Sequence, residues 1–141
     1  MSRLKVFTDG ASRGNPGESG IGIIIYDDND NIIKKWNEYI GKGTNNQAEY
    51  LALIKSIELI KELKQIIPVE FIVFHADSEL MVKQLKLEYK VKDEGLNLLF
   101  KKFNAEINEL KIPYTIKHVD RKLNKEADKL ANKGIDNKNS L

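Results

Sequence analysis

The stretch Leu4-Lys5-Val6-Phe7-Thr8-Asp9-Gly10 has the composition of a short β-strand that ends in a turn. Three glycines and a proline within residues 11–20 predict a loop after it. Apolar and β-branched runs at 21–27 and 32–40 predict two more strands, separated by the turn sequence Asp28-Asn29-Asp30-Asn31. We therefore expect the chain to begin as an antiparallel meander of three strands.

Beyond residue 43 the pattern changes to alternating helices and strands. Thr44 and Gln47 have the spacing of a capping box, and the helix that they begin should end near residue 65. The remaining elements are expected as a strand at 69–75, a helix at 78–86, a helix ending near 110, a strand at 113–119 and a helix from Asn124 with Gly134 just past its end. The order βββαβααβα predicts an α/β fold with a five-stranded mixed sheet, three strands antiparallel and the later two parallel.

Length and composition restrict the class of protein. The 141 residues carry a formal net charge of +2, are 41% hydrophobic and include no cysteine, which predicts a single domain over 1–141 without disulfides, thiolate nucleophiles or cysteine-bound metals. The longest apolar runs fall short of the ~20 residues that cross a bilayer, and the first residues do not form a secretory signal. We expect a cytoplasmic protein with no membrane partner, in which any metal is bound by oxygen ligands.

Four acidic residues lie at the ends of predicted elements. Asp9 ends the first strand, Asp77 follows the strand at 69–75, and Glu49 and Asp128 are expected in the first turns of long helices. Ligand sites gather beyond the carboxyl ends of strands in α/β sheets, so these carboxylates can converge. Converging carboxylates repel and must bind protons or cations, and Mg²⁺ or Mn²⁺ suit oxygen ligands. Taken singly, a helix-start acid is more often only a partner of the helix dipole.

Four motifs in this order resemble those of the type 1 ribonuclease H family. They are Thr8-Asp9-Gly10-Ala11-Ser12-Arg13-Gly14-Asn15-Pro16-Gly17, Thr44-Asn45-Asn46-Gln47-Ala48-Glu49, Asp77-Ser78 and Asn124-Lys125-Glu126-Ala127-Asp128-Lys129-Leu130-Ala131-Asn132. The resemblance implies a ribonuclease H-like fold with helices on both faces of the sheet. It also implies a monomeric endonuclease that hydrolyses the RNA strand of RNA/DNA hybrids with two Mg²⁺ ions, or Mn²⁺ as a substitute, leaving 5′-phosphate and 3′-hydroxyl ends.

The resemblance assigns roles position by position. The catalytic metal ligands would be Asp9, shared by both ions, with Glu49 and Asp77 on the leaving-group side and Asp128 on the water side. Other positions would contact the substrate, either at a phosphate of the DNA strand or along the RNA strand. They are Gly10, Ser12, Asn15, Thr44, Asn45, Asn46, Ser78, Arg121 and Asn124.

The chain departs from the family pattern in three places. Residues 85–96 are too short for the basic protrusion of well-studied bacterial members, so a same-fold nuclease that also cleaves double-stranded RNA is an alternative. His118 falls in a predicted strand and favours a structural role, and Glu79 stands where family members often have Gln. A non-catalytic nucleic-acid-binding module is the alternative from another class. The lysines at 122, 125, 129 and 133 fit a solvated helix face or a phosphate-binding surface equally well.

Overall fold

The computed structural model describes residues 2–139 and has the predicted order of elements. The strands are β1 (Arg3–Gly14), β2 (Gly17–Tyr26), β3 (Ile32–Gly43), β4 (Phe71–Ala76) and β5 (Tyr114–His118). The helices are α1 (Asn45–Leu63), α2 (Glu79–Leu85), α3 (Glu94–Leu110) and α4 (Lys125–Asp136), with 3-10 turns at Arg121–Leu123 and Asn137–Asn139. Within this range no helix combines the length and the apolar character needed to cross a membrane.

The five strands form one mixed sheet in the order β3-β2-β1-β4-β5. β1 pairs antiparallel with β2, and β2 antiparallel with β3. β1 pairs parallel with β4, and β4 parallel with β5. The predicted α/β fold class is therefore confirmed. β4 ends beside the middle of β1, where Ala76 pairs with Thr8, and β1 continues to Gly14.

The prediction of a loop over residues 11–20 is wrong. Both arms of the β1–β2 hairpin continue through it, and only Asn15 and Pro16 form the turn. Gly14 has a φ of +98°, which favours glycine at this position. Gly20 is needed for a different reason: a Cβ there would lie 2.3 Å from the carbonyl oxygen of Ala131 in α4. The glycines that suggest a loop thus allow a tight turn and a close helix.

Helices cover both faces of the sheet, as the pleat shows. A Cβ on Gly10 would lie 2.3 Å from the backbone carbon of Ala48 in α1. Gly22 pairs with Asp9, and a Cβ on Gly22 would lie 2.2 Å from the carbonyl oxygen of Ala127 in α4. Because Asp9 and Gly10 are successive strand residues, they point to opposite faces. α1 and α4 therefore lie on opposite sides of β1 and β2.

The main hydrophobic core lies on the face that α1 covers. Val6, Ile23, Ile57, Phe74 and Phe103 are completely buried there, and they come from β1, β2, α1, β4 and α3. Each such side chain contributes about 1.5–3 kcal/mol when it is removed from water. This core holds β1, β4 and α1 in fixed relative positions.

The α4 face buries smaller side chains. Ala127 and Ala131 are completely buried against the sheet, and Ile135 is almost so. Gly134 lies inside α4 and not past its end as predicted. The residue is glycine because a Cβ there would lie 2.6 Å from the carbonyl oxygen of Glu38 in β3. Glycine at this position permits close packing and does not end the helix.

Candidate active site

A cleft of about 420 Å³ opens where β4 ends beside the middle of β1, next to the starts of α1 and α4. Ten of the predicted site residues line it, namely Asp9, Gly10, Ser12, Asn45, Asn46, Glu49, Asp77, Ser78, Arg121 and Asp128. Ala11 and Lys125 line it as well and were not among the predicted site residues. The cleft therefore collects residues from all four quoted motifs.

Three carboxylates converge at the base of the cleft. Asp9 and Glu49 are 5% and 6% exposed, and Asp77 is half-buried. Each of them places one carboxylate oxygen within 4.8 Å of the other two. Asp128 is exposed and lines the same cleft. The four acids come from β1, from α1, from the residue just after β4, and from α4.

The position of Glu49 depends on the close contact between α1 and β1. The backbone N–H of Gly10 donates a hydrogen bond to Glu49 Oε1 at 2.5 Å. Glu49 Oε2 is buried and has no polar partner among the residues that the structure describes. The first turn of α1 contains no acidic residue, so Glu49 lies beyond it and is not the helix-dipole partner considered above. A buried oxygen without a partner, beside two other carboxylates, is suited to a cation.

Burial and mutual repulsion raise the pKa of the two innermost acids. The pKa of Asp9 rises chiefly because the carboxyl is buried, and also because Glu49 and Asp77 lie beside it. Burial likewise raises the pKa of Glu49, although the Gly10 N–H bond opposes the shift. The cluster must therefore hold protons or cations. No histidine lines the cleft, so its donors fit hard divalent cations such as Mg²⁺ or Mn²⁺.

Without divalent ions, Asp9→Asn is expected to raise the free energy of unfolding near pH 7 by about 2–4 kcal/mol. The reason is that the buried Asp9 carboxyl lies beside Glu49 and Asp77, so the folded protein must either take up a proton or bear a like-charge contact, which at ~4 Å costs ~4 kcal/mol at an effective dielectric of ~20. Denaturant unfolding in the presence of a chelator measures the difference between the two proteins.

The extra stability of Asp9→Asn over the wild type is expected to disappear as the pH falls. The pKa of Asp9 is raised above its ordinary value of 3.8, so the folded wild type binds a proton that the unfolded chain releases. This proton stabilises the folded wild type. Its contribution is fully present below the pKa of the unfolded chain and is lost as the pH rises through the pKa of the folded protein. The Asn variant has no such slope, so the two proteins converge below about pH 4. The same difference at both pH values would contradict the assigned repulsion.

Asn124 is placed differently from the expectation of a substrate contact. Its side chain is 1% exposed and does not cap α4. Instead Nδ2 donates one hydrogen bond to the Thr8 carbonyl oxygen and one to Asp77 Oδ2, both at 2.9 Å. The side chain faces inward because one acceptor belongs to Thr8 of β1 and the other to Asp77, the residue that follows β4. Asn124 therefore links Asp77 to the strand that carries Asp9.

The remaining polar residues of the motifs shape the rim of the cleft. Thr44 completes the predicted capping box, since its Oγ1 accepts from the Gln47 N–H at 3.1 Å and Gln47 Oε1 accepts from the Thr44 N–H at 2.9 Å. Asn15 Oδ1 accepts from the Asn45 N–H at 3.0 Å and so joins the hairpin turn to the start of α1. Thr44 and Asn15 stand beside the cleft and do not line it. Ser78 caps α2 through Met81 N–H at 3.2 Å.

His118 lies outside the cleft. It is exposed at the end of β5, in the strand where the sequence places it. Arg121, three residues later, does line the cleft, and its charge opposes the rise in the pKa of Glu49. In this segment it is therefore Arg121, and not His118, that brings a positive charge to the cleft.

Comparisons with known proteins agree with this arrangement. A family model described as reverse transcriptase-like matches residues 7–134. Ribonuclease HI of Halobacterium salinarum is 34% identical over 137 residues, which cover 95% of this chain and 65% of that protein. A bifunctional protein of Mycobacterium tuberculosis is 34% identical over 136 residues, which cover 95% of this chain and 36% of that protein. The chain thus spans less than two thirds of either relative.

The fold and motifs also match a solved structure over almost its whole length. The crystal structure of LC11-RNase H1 in complex with an RNA/DNA hybrid has a TM-score of 0.88 and 37% identity, covering 94% of this chain and 96% of that one. The order of motifs, the mixed sheet and the carboxylate cleft agree with these matches. The chain belongs to the type 1 ribonuclease H family.

Proposed function

We propose that the chain is a divalent-metal-dependent endonuclease that hydrolyses the RNA strand of RNA/DNA hybrids. The observation that carries this proposal is the convergence of Asp9, Glu49 and Asp77, with Asp128 beside them, in a cleft open to solvent. The similarity to LC11-RNase H1, which was crystallised with an RNA/DNA hybrid, supports the class of substrate. The proposal includes a single ribonuclease H domain over residues 1–141 that acts as a monomer.

The four carboxylates would hold two Mg²⁺ ions, with Mn²⁺ as a substitute, and Asp9 would be shared between them. When bound, the ions would supply Lewis acidity for the attacking water and for the leaving 3′ oxygen, which yields 5′-phosphate and 3′-hydroxyl ends. The chain's own contribution is to hold the carboxylates in place before any ion arrives. Because β1, β4 and α1 share one core, Asp9, Asp77 and Glu49 need no rearrangement to approach one another.

Asn124 is proposed as a positioning residue and not as a substrate contact. Its two donated hydrogen bonds join the Asp77 carboxylate to Thr8 of β1. The bond to Oδ2 restricts the rotation of the Asp77 carboxylate, which lies beside Asp9 and Glu49. A carboxylate held in this way loses less conformational entropy when it binds an ion.

The substrate is proposed to bind along the rim. Asn45 and Asn46 are exposed at the start of α1, where amide side chains and free backbone N–H groups can bind phosphate oxygens. Arg121 can pair with a phosphate near the carboxylates. The other residues proposed to contact the hybrid, through hydroxyl, amide or backbone groups that distinguish a 2′-hydroxyl, are Gly10, Ser12, Asn15, Thr44 and Ser78.

The test is a comparison of hybrid, RNA/RNA and DNA/DNA duplexes with Mg²⁺, with Mn²⁺ and with a chelator. We expect cleavage of the RNA strand of the hybrid, with 5′-phosphate ends, only when a divalent ion is present. Comparable cleavage of RNA/RNA would favour the nuclease of relaxed specificity. Hybrid binding without cleavage under any of these conditions would replace the proposal with a non-catalytic binding module.

A further inference from the structure

A second groove, of about 520 Å³, lies behind one wall of the catalytic cleft. The wall is the segment 121–125, which contains a 3-10 turn and the first residue of α4. Arg121 and Lys125 line the cleft on one side. Lys122, Leu123 and again Lys125 line the groove on the other side. A chain that passes over this short segment would move from the cleft directly into the groove.

The floor of the groove is aromatic and belongs to the sheet. Phe7 and Tyr26 project from β1 and β2 on the side where α4 lies, but α4 begins too late to cover them. The ring of Phe7 stacks on His75 with centroids 4.1 Å apart and an interplanar angle of 6°. Tyr26 meets the edge of Phe7 at 5.7 Å and 86°. Both rings are half-buried and held in place, and they leave an open apolar surface.

The rim of the groove carries unpaired positive charge. Lys5 pairs with Asp30 at 2.6 Å, and Glu126 approaches Lys129 at 3.8 Å. Lys122 and Lys125 are exposed, and no carboxylate lies within 4 Å of either in the part of the chain that the structure describes. Both lysines stand on the wall shared with the cleft, so the free charge is on the side nearest the carboxylates.

We propose that this groove binds a nucleotide of a single-stranded RNA segment that continues from the strand held in the catalytic cleft. The inference rests on the proposed function, because it takes the RNA strand to be the one at the carboxylates. An aromatic floor binds a base by stacking, whatever the sequence, and a lysine rim binds its phosphate. The volume lies within the range of pockets that bind small ligands.

The groove's own polar groups add to the fit. Asp30 and Glu126 are acceptors at the rim and can receive hydrogen bonds from the N–H groups of a base, including N3–H of uracil. Leu123, which is 70% exposed, forms an apolar wall at the entrance. An aromatic floor on which a base can stack, a nearby cation for its phosphate and acceptors for its N–H groups together favour a nucleotide over an acidic peptide.

The first test measures binding without cleavage. Labelled single-stranded oligouridylate is titrated into the metal-free full chain, and amide chemical shifts identify the residues affected. Shifts are expected at Leu123 and Tyr26, and Tyr26→Leu, which keeps an apolar floor, should weaken binding about tenfold. Shifts that depend on protein concentration and not on the oligonucleotide would assign the groove to a second copy of the chain and overturn the proposal.

The second test compares a blunt hybrid with the same hybrid carrying an RNA overhang at either end. For the wild type, one of the two overhangs is expected to lower KM about fivefold to tenfold. The double variant Lys122→Gln/Leu123→Ser should lose that gain and cleave the blunt hybrid normally. Leu98→Ser/Lys101→Gln on α3 is the matched control, because Leu98 is also 70% exposed, and it should retain the gain.

The outcomes separate the two proposals. Cleavage of the blunt hybrid with no gain from either overhang would overturn the groove assignment and leave the proposed function standing. Failure to cleave any hybrid, with oligouridylate still bound in the groove, would contradict the proposed function and leave the nucleotide site. Equal loss in the α3 control would show that the effect is not local, and would also overturn the assignment.

Discussion

Asp9→Asn is expected to abolish hybrid cleavage, lowering kcat/KM by about a thousandfold or more, while the fold stays intact. Asp9 lies at the centre of the acidic cluster, because Glu49 and Asp77 each place a carboxylate oxygen within 4.8 Å of one of its own and raise its pKa. The amide keeps the shape of the side chain but removes the negative charge that a shared divalent ion requires. Several kcal/mol of transition-state stabilisation would be lost with the ions, and each ~1.4 kcal/mol is a factor of ten in rate.

The control for this variant is Asp136→Asn. Asp136 undergoes the same chemical change, but it lies at the far end of α4 and pairs with Arg13 at 2.7 Å on the surface. It should retain activity within about twofold, since a surface ion pair contributes at most about 1 kcal/mol. Thermal melting of both variants establishes that each is folded. Activity of Asp9→Asn close to that of the wild type would refute the metal-dependent assignment.

Gly22→Ala is expected to lower the free energy of unfolding by about 3 kcal/mol and the melting temperature by about 10 °C. The new Cβ would lie 2.2 Å from the Ala127 carbonyl oxygen and 2.4 Å from the Ala131 N, so backbone must move. The first of these contacts is in the first turn of α4, next to Asp128. We therefore also expect kcat to fall at least about tenfold at temperatures where the variant is fully folded.

The matched control is Gly95→Ala at the start of α3. There the nearest atom to the new Cβ is Asp93 Oδ2 at 3.2 Å, which need shift by only a few tenths of an ångström while it continues to cap α3 through the Leu96 N–H. Alanine is also the better helix former by about 1 kcal/mol. Stability should be unchanged or slightly higher and activity unaffected. If Gly22→Ala behaved in the same way, the close packing of α4 on the sheet would not be what positions Asp128, and the prediction would be wrong.

The sequence was sufficient for those features whose cause is local. Strand and helix order follows from residue periodicity, and the Thr44 cap follows from two residues three positions apart. Asp9 does not end β1 as predicted, since β1 continues to Gly14. It does follow the last β1 residue that pairs with β4, and Asp77 follows the end of β4, so the proximity of the two acids follows from the parallel pairing. The helix start that places Glu49 near them also follows from the cap.

Features that depend on contacts distant in sequence could not be predicted. A glycine can mark a turn or permit a helix to approach, and only the packed structure separates Gly14 from Gly20 and Gly134. The inward direction of Asn124 depends on acceptors 47 and 116 residues away. The helix-start position of this residue predicts a cap, and a buried bridge to Asp77 outcompetes that cap.

The small buried side chains of α4 divide the four proposed metal-binding acids into two groups by how firmly the fold holds them. Asp9, Glu49 and Asp77 come from elements that share the main core, and opening that core means unfolding the protein. Asp128 comes from a helix that contributes two alanines and one isoleucine to burial, which is little apolar area. We therefore expect local opening of α4 to require less free energy than global unfolding. The three carboxylates Asp9, Glu49 and Asp77 would then stay together in every folded molecule, whereas Asp128 would join them only while α4 is docked on the sheet.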